Sequence, residues 1–483
     1  MLPYDKTDPA SIEAYAKGLA GKTFSQVLEE SRYLDFAVKD SKIDYSNPNQ
    51  KGKLGNLLEE KYFGYKANSD QEADFPEAGV ELKVTCYDVL KNGSISAGER
   101  LVLTMISYEG PVEKDFYQSH VWEKCRRILL VYYERDKKLA YNTLYKITFA
   151  NMVSPARQDM PIIVQDYDRI IQKMEAGKAD ELSESDTLYL GACTKGATAA
   201  SSMRPQFYPP YTPARKRAFC FKRQYMDYIL HTYIMPGRTT YEPLIRDAEE
   251  LAGRTFEEVI TSRIACHYGA SDKELCGLYG REYNNNKAQW YDLAYRMLGI
   301  RGNHAEEFQK ANIAVKVIRL EENNTMKESM SFPPFKFKEL AVQTWEDSDI
   351  FRYFDETRFF FVIFKKAGDV YYLHKCQFWN MPYRDLNETV RDGWERVKER
   401  VENGVSFHIS PAKKGHIVHN NLPAKKDNRI IHVRPHAAKS AYKLNGFASG
   451  NIDRDADELP SGEYMTRQSF WINNSYLLEQ LEV

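Results

Sequence analysis

The sequence predicts an α/β protein built from two tandem copies of one domain, each a mixed sheet flanked by helices. Three observations lead there. Val80-Glu-Leu-Lys-Val84 alternates apolar and charged residues, as a half-buried strand does. Ile128 to Tyr133 is a continuous apolar run of the kind found in buried strands. Both features then return in the same order roughly 230 residues later, which indicates duplication rather than chance.

Taken along the chain, residues 8–32 read as a helical region with Leu19-Ala-Gly-Lys-Thr-Phe24 near its middle. From Lys51 to Gly64, apolar Leu54, Leu57, Leu58 and Phe63 recur near helical spacing, with Gly64 placed to cap the C-terminus. In the strand that follows, Val80, Leu82 and Val84 point to the core, and Glu81 and Lys83 share the opposite face. Asp74 lies upstream of Pro76 and Gly79, which can turn the chain back toward that strand. Ser119-His-Val-Trp-Glu-Lys124 then precedes the apolar strand and sets Lys124 at its entrance.

The second half repeats this order. Leu251-Ala-Gly-Arg-Thr-Phe256 echoes Leu19–Phe24, and Glu307-Phe308, Ala311 and Ile313-Ala-Val-Lys-Val317 echo Asp74-Phe75, Ala78 and Val80–Val84. Phe359–Phe364, preceded by Arg358, echoes Ile128–Tyr133, preceded by Arg127, and Trp394–Gly404 matches Tyr167–Gly177. The period is far too long for a solenoid. The Pro- and Gly-bearing stretch Met235–Pro243 suits a linker, so the expected domains are 1–233, a linker at 234–247, and 248–483.

Composition narrows the function classes. With 483 residues, 43% of them hydrophobic, the chain can bury a sizeable core and is expected to form two or three domains. A net charge of −1 announces no global field, so any nucleic-acid binding must rest on local patches. Seven Cys without a metal-ligand spacing suggest reduced thiols in a cytoplasm. The N-terminus lacks the apolar region of a signal peptide, and no apolar run could span a membrane; a cytoplasmic protein without a membrane partner is expected. No Walker-type glycine loop supports nucleotide hydrolysis. His120 is expected to be structural or phosphate-facing rather than a metal ligand.

Asp74, Glu81 and Lys83 carry the chemistry. Two carboxylates and an ammonium converging on one strand end suit a magnesium site beside a phosphate, because Mg²⁺ takes oxygen ligands and completes its shell with water and substrate phosphates. The lysine can offset charge that builds on phosphorus. Taken alone the spacing is a weak motif, and a solvated strand face with an i,i+2 ion pair is the commoner outcome. Glu59, on the preceding helix, would reach toward the same place.

In context the residues are less ambiguous. Lys51-Gly52, Gly55, Leu57-Leu58-Glu59, Asp74-Phe75, Gly79-Val-Glu-Leu-Lys83, Ser119-His-Val and Lys124 resemble the MutH family of GATC-specific endonucleases, and within it the Sau-three-A-I type of type II restriction enzyme. Leu182-Ser-Glu, Cys193-Thr-Lys-Gly-Ala197 and Gln468-Ser-Phe-Trp-Ile-Asn-Asn474 extend that resemblance over essentially the whole chain. It implies two MutH-like domains of the restriction-endonuclease-like PD-(D/E)xK class. It further implies Mg²⁺-dependent cleavage of duplex DNA at GATC, 5′ of G on both strands, and a cognate DNA methyltransferase as partner. Asp74, Glu81 and Glu59 are then the metal ligands, Lys83 acts on the attacking water and the developing charge, and Lys124 contacts phosphate.

Ala314 replaces Glu81 in the second copy and leaves Lys316 without its carboxylate; Glu307 stands where Asp74 does and Ala294 falls near Glu59. That copy is expected to be catalytically inactive and to serve in DNA binding or regulation. DNA contacts are expected from the basic run Arg215, Lys216, Arg217, Lys222 and Arg223, from Lys195, and in the second copy from Arg434 and Lys439. Cys193-Thr194 stands where the family has Arg-Pro, whereas Arg434-Pro435 is closer to its pattern. One complete site per chain facing a palindrome points to a second copy of the chain on DNA. Two rival readings are a mismatch-repair nicking endonuclease, against which the duplication argues, and a non-catalytic GATC-binding regulator, against which the intact Asp74, Glu81 and Lys83 set argues.

Overall fold

The structure is a computed structural model that describes all residues except 1, 40–44, 46–52, 68–71, 197–201, 236–240, 285, 303, 413–414 and 482–483. Lys51, Gly52 and Ala197 of the quoted motifs therefore lie outside the described residues. The chain forms two compact units, the first from residues 1–259 with 304–312, the second from 260–303 with 313–483. Among the described residues no helix is long and apolar enough to cross a membrane.

The helical region at the start of the first unit is broken in two. Helix α1 (Pro9–Ala16) is capped by Asp8, Gly21 takes a positive φ of 92°, and α2 (Phe24–Glu30) opens with a capping box between Thr23 and Gln26. Helix α3 (Lys53–Leu57) runs on as a π-helical turn, Leu58–Phe63, and ends on Gly64 at φ 79°, where a side chain would strike Phe36. The strands are β1 (Glu81–Val89), β2 (Ile95–Ala97), β3 (Leu101–Met105), β4 (Ile128–Glu134), β5 (Lys146–Val153), β6 (Leu190–Thr194) and β7 (Arg217–Phe221). Among them lie α4 (His120–Cys125) and α5 (Met160–Glu175), and α6 (Arg223–Ile229) follows β7.

The main sheet is mixed, in the order β2-β1-β4-β5. β1 runs parallel to β4, with Glu81 opposite Ile128 and Lys83 opposite Leu130, and β5 returns antiparallel. Val80 and Leu82 with Leu129 and Val131 seal against Leu19, Phe24, Leu57 and Phe63. The alternation of β1 therefore puts Glu81 and Lys83 on the face away from that core. A second, antiparallel sheet has the order β3-β7-β6.

The second unit repeats the plan. Its strands are β8 (Ile313–Leu320), β9 (Met330–Pro334), β10 (Arg358–Ala367), β11 (Val370–Trp379), β12 (Ile431–Pro435) and β13 (Gln468–Ile472). Its helices include α7 (Lys287–Met297), α8 (Arg391–Glu402) and α9 (Asn474–Gln480). β8 is parallel to β10, with Ala314 opposite Phe359, and β10 is antiparallel to β11, in the order β8-β10-β11. The antiparallel sheet β9-β13-β12 matches β3-β7-β6, with α9 following β13 as α6 follows β7. Phe359, Phe361, Ile363, Trp379, Trp394 and Phe470 share its core. The duplication read from sequence is thus a duplication of strand order and register.

The compact units part at other places than the expected 1–233, 234–247 and 248–483. Residues 248–259 and 304–312 pack with the first unit, although the repeat assigns them to the second copy. Within the first unit, Lys310 on the helix Glu306–Ala311 is 1% exposed and ion-pairs with Asp159 at 2.6 Å and Glu306 at 2.7 Å, its ammonium 4.0 Å from the Tyr228 ring centroid. Glu307 accepts the amides of Leu244 and Ile245 at 2.8 and 2.9 Å, and Leu244 is buried. The expected linker is therefore tied down at Leu244 and Ile245 by a buried carboxylate, while Pro243, Arg246 and Asp247 are exposed.

Candidate active site

The site is assembled at the start of β1. Phe75 and Val80 pair as an antiparallel bridge across the turn Pro76–Gly79, and Gly79 at φ 61° lies where a Cβ would sit 2.7 Å from the Arg126 guanidinium. This turn folds Asp74 back onto the strand, where its Oδ2 accepts the Leu82 amide at 2.8 Å. Glu81 is 2% exposed, and both its oxygens meet ammonium groups: Oε1 lies 2.7 Å from Lys83 Nζ and Oε2 3.0 Å from Lys124 Nζ. Lys124 arrives from α4, which Ser119 caps by accepting the Trp122 amide, and it also donates to the Glu72 carbonyl. The parallel pairing of β1 with β4 is what brings α4, just ahead of β4, to this strand end.

Glu59 enters from the π-helical turn after α3. Burial, then the Asp74 charge, raises its carboxyl to about 8, with Lys83 opposing. Burial and the Glu81 charge lift Asp74 to about 6, against Lys83 and the Leu82 amide. Carboxyl groups that weigh on one another in this way are short of positive charge. Asp74 and Glu59, together with Glu81, are hard oxygen donors with the chemistry to accept a divalent cation. Among the described residues, however, no three His, Cys, Asp or Glu side chains are drawn together as a preformed metal cage. The Glu81 oxygens are instead matched to lysines.

Tyr65 escapes a reading of the sequence. Among the described residues its buried hydroxyl has no hydrogen-bond partner, burial and then the Asp74 and Glu59 charges raise its pKa, and its ring packs on Phe75, centroids 5.2 Å apart. The only sequence signal is its place directly after the Gly64 cap, which fixes its amide on the Glu59 carbonyl at 3.1 Å. His120 lies at the surface against Glu113, outside this cluster.

The expected DNA contacts divide by accessibility. Lys195, Arg215, Lys216 and Arg223 are partly exposed, and Arg434 and Lys439 are exposed, with Arg434 stacked 4.6 Å over the Trp471 ring. Arg217 and Lys222 are not surface groups: Arg217 is 1% exposed on the central strand of its sheet and donates to the Ala192 carbonyl at 2.6 Å, and Lys222 is 3% exposed with its ammonium on the Thr187 carbonyl. Arg217 goes inward with a strand buried on both faces, and Lys222, just past its end, is drawn in by the Thr187 carbonyl, so both are structural cations. In the second copy, Glu307 is committed to backbone amides, Ala294 is fully buried and Ala314 offers only a methyl group.

The chain is 35% identical over 460 residues to the type II restriction enzyme Sau3AI of Staphylococcus aureus, a match covering 89% of this chain and 92% of that one. It belongs to the MutH-like restriction endonucleases. As an enzyme of that family it is a site-specific deoxyribonuclease, and DNA is its partner. The family model for the DNA mismatch repair enzyme MutH matches residues 63–166, a span that contains Asp74, Glu81, Lys83 and Lys124. The DNA mismatch repair proteins MutH of Serratia proteamaculans (strain 568) and Vibrio campbellii (strain ATCC BAA-1116) are 27% and 24% identical over 185 and 235 residues. Those matches take 74% and 96% of the repair proteins but only 38% and 48% of this endonuclease. A repair MutH thus corresponds to about one copy of the duplicated fold, and the restriction enzyme to both.

Proposed function

We propose that this endonuclease hydrolyses duplex DNA at GATC in a Mg²⁺-dependent reaction, cutting 5′ of G on both strands, with a cognate DNA methyltransferase as its cytoplasmic partner. The observation that carries the reading is the meeting of Asp74, Glu81, Glu59, Lys83 and Lys124 at the N-terminal end of one strand, beside a family match that spans both copies. Asp74, Glu81 and Glu59 would hold the cation. When bound, the metal supplies Lewis-acid polarisation of the phosphate and lowers the pKa of water.

The protein's own groups do the rest. Lys83 and Lys124 neutralise Glu81 in the metal-free protein and keep a buried carboxylate folded into place. Lys83, the more exposed of the two lysines, would orient the attacking water and offset the charge that develops on phosphorus. Lys124, anchored on the Glu72 carbonyl and Glu81, would present its remaining hydrogen to a phosphate oxygen. The hydroxyl of Tyr65 holds a hydrogen bond in reserve for the acidic cluster. The second copy, with Ala314 in place of the central carboxylate, reads DNA through Arg434 and Lys439 without cutting it.

The test is to incubate the purified protein with plasmid and magnesium and to sequence the ends. Double-strand ends beginning 5′-GATC support the reading. Nicks confined to one strand would favour the repair-type reaction, and intact plasmid with retained GATC binding would favour a regulator.

A further inference from the structure

The second unit contains a cavity of about 560 Å³ along β8 that the reaction above leaves unused. Trp290 of α7, Lys316 and Arg319 of β8 and Tyr371 of β11 are among its walls. Lys316 occupies in β8 the place of Lys83 in β1, since Ala314 faces Phe359 of the parallel neighbour as Glu81 faces Ile128. The lysine is kept while its carboxylate partner is reduced to a methyl group. Lys83 has Glu81 at 2.7 Å, whereas among the described residues Lys316 has neither ion pair nor hydrogen bond, and burial alone lowers its pKa.

A desolvated ammonium without a partner is costly and calls for an anion. Arg319, three residues along β8, stands on the opposite face of the strand from Lys316. There its guanidinium carbon lies 4.7 Å from the Trp290 ring centroid and 5.9 Å from that of Tyr371, a cation–π contact that keeps it engaged. The two acids on the walls are already matched, Glu328 to Lys287 at 3.0 Å and Arg319 at 3.7 Å, Glu321 to Lys327 at 3.0 Å. Of the four cations in the walls, Lys316 is the one left without a counter-charge.

We propose that this cavity is a phosphate-binding site: a tetrahedral phosphate group, from the backbone of duplex DNA or from a free phosphate ion, sits on the Lys316 ammonium. Loss of the carboxylate at position 314 is what makes the site possible, because a carboxylate there would occupy the lysine and repel the anion. The site therefore keeps the phosphate-facing cation of the fold and gives up the acidic cluster. It is independent of how the first unit performs its chemistry.

The full chain, free of divalent metal, is titrated calorimetrically with inorganic phosphate and, separately, with a short duplex at two salt concentrations, as wild type, Lys316→Met and Arg319→Ala. If free phosphate is the ligand, the wild type binds it and Lys316→Met weakens it by about tenfold to a hundredfold, the range of a charge-assisted hydrogen bond. If the DNA backbone is the ligand, phosphate gives no heat, but Lys316→Met weakens duplex binding at least about tenfold and lowers the salt slope by about one. In both cases Arg319→Ala, on the opposite face of β8, leaves that affinity unchanged, and Lys316→Met without ligand is at least as resistant to urea as the wild type, an outcome opposite to that of a structural lysine. The proposal is overturned if Lys316→Met binds phosphate and duplex as the wild type does. It is equally overturned if Lys316→Met is less resistant to urea than the wild type, or if Arg319→Ala weakens binding as much as Lys316→Met does.

Discussion

Glu81→Ala separates the two duties of the central carboxylate. In the folded chain Glu81 is 2% exposed and is the ion-pair partner of Lys83 and Lys124, whose side chains are 21% and 8% exposed. Removing it leaves Lys124 buried on the Glu72 carbonyl with Asp74 as a more distant counter-charge, and breaking a buried pair by deleting one partner costs about 3–5 kcal/mol. Lys83 is better solvated, so its share is small. The expected loss is therefore at the lower part of that range in urea denaturation of the metal-free protein, together with loss of plasmid cleavage in magnesium. Adding Lys124→Met removes the stranded charge and restores most of the stability, but no activity. Such a result assigns the stability to charge matching and the activity to metal holding. A Glu81→Ala protein that cuts plasmid at the wild-type rate, or one as stable as the wild type, refutes the reasoning.

Four further outcomes are expected. Lys310→Met costs about 3–5 kcal/mol in urea denaturation because Asp159, 3% exposed in its side chain, is stranded, and combining it with Asp159→Asn recovers most of the loss. Arg434→Ala in the full chain costs about 1–3 kcal/mol of discrimination between GATC and scrambled duplexes in a binding titration, whereas equal weakening on both would make it a phosphate contact. Burial raises the Asp166 carboxyl to about 6 even though it accepts the amides of Leu188, Tyr189 and Leu190, so the native state binds its proton more tightly than the unfolded chain. Stability from this group is then lost as pH rises between about 4 and 6, with a slope of up to about 1.4 kcal/mol per pH unit that urea melts of Asp166→Asn lack. A plasmid with two GATC sites is cut faster than one with a single site, and a short cognate duplex in trans rescues the latter; equal rates with nicked circles accumulating would exclude a two-chain species.

Part of the site's geometry is legible locally. Alternation over 80–84 sets Glu81 and Lys83 on one face, and Gly64 and Gly79 mark a helix end and a turn that their positive φ values bear out. The link between Glu81 and Lys124 is different in kind. It exists because β1 and β4 pair in parallel, a long-range choice that no window of sequence contains. Tyr65 carries no periodic signal, and only the fold reveals its buried, unpartnered hydroxyl. Arg217 and Lys222 misled through composition: a dense run of cations looks like a surface, but Arg217 alternates with Phe219 and Phe221 on a central strand and follows them inward. The packing of 304–312 with the first unit was equally hidden, since it depends on Asp159 and on the amides at 244 and 245 finding partners remote in sequence.

Duplication without a second active site has a physical logic. A GATC palindrome has two scissile phosphates related by a two-fold axis, and a chain with one complete carboxylate set cannot face both at once. Restoring Glu81's counterpart at position 314 would not by itself give the second copy a metal site, because Glu307 is held by two backbone amides and Ala294 has no oxygen to give. With the proposed phosphate site, the second copy would bind an anion where the first would bind a cation. Holding one duplex there while a partner chain's complete site met the other strand would raise the effective concentration of that site, which a single-copy enzyme must obtain by dissociating and returning. A cutter built this way would act faster on DNA carrying several recognition sites than on DNA carrying a solitary one.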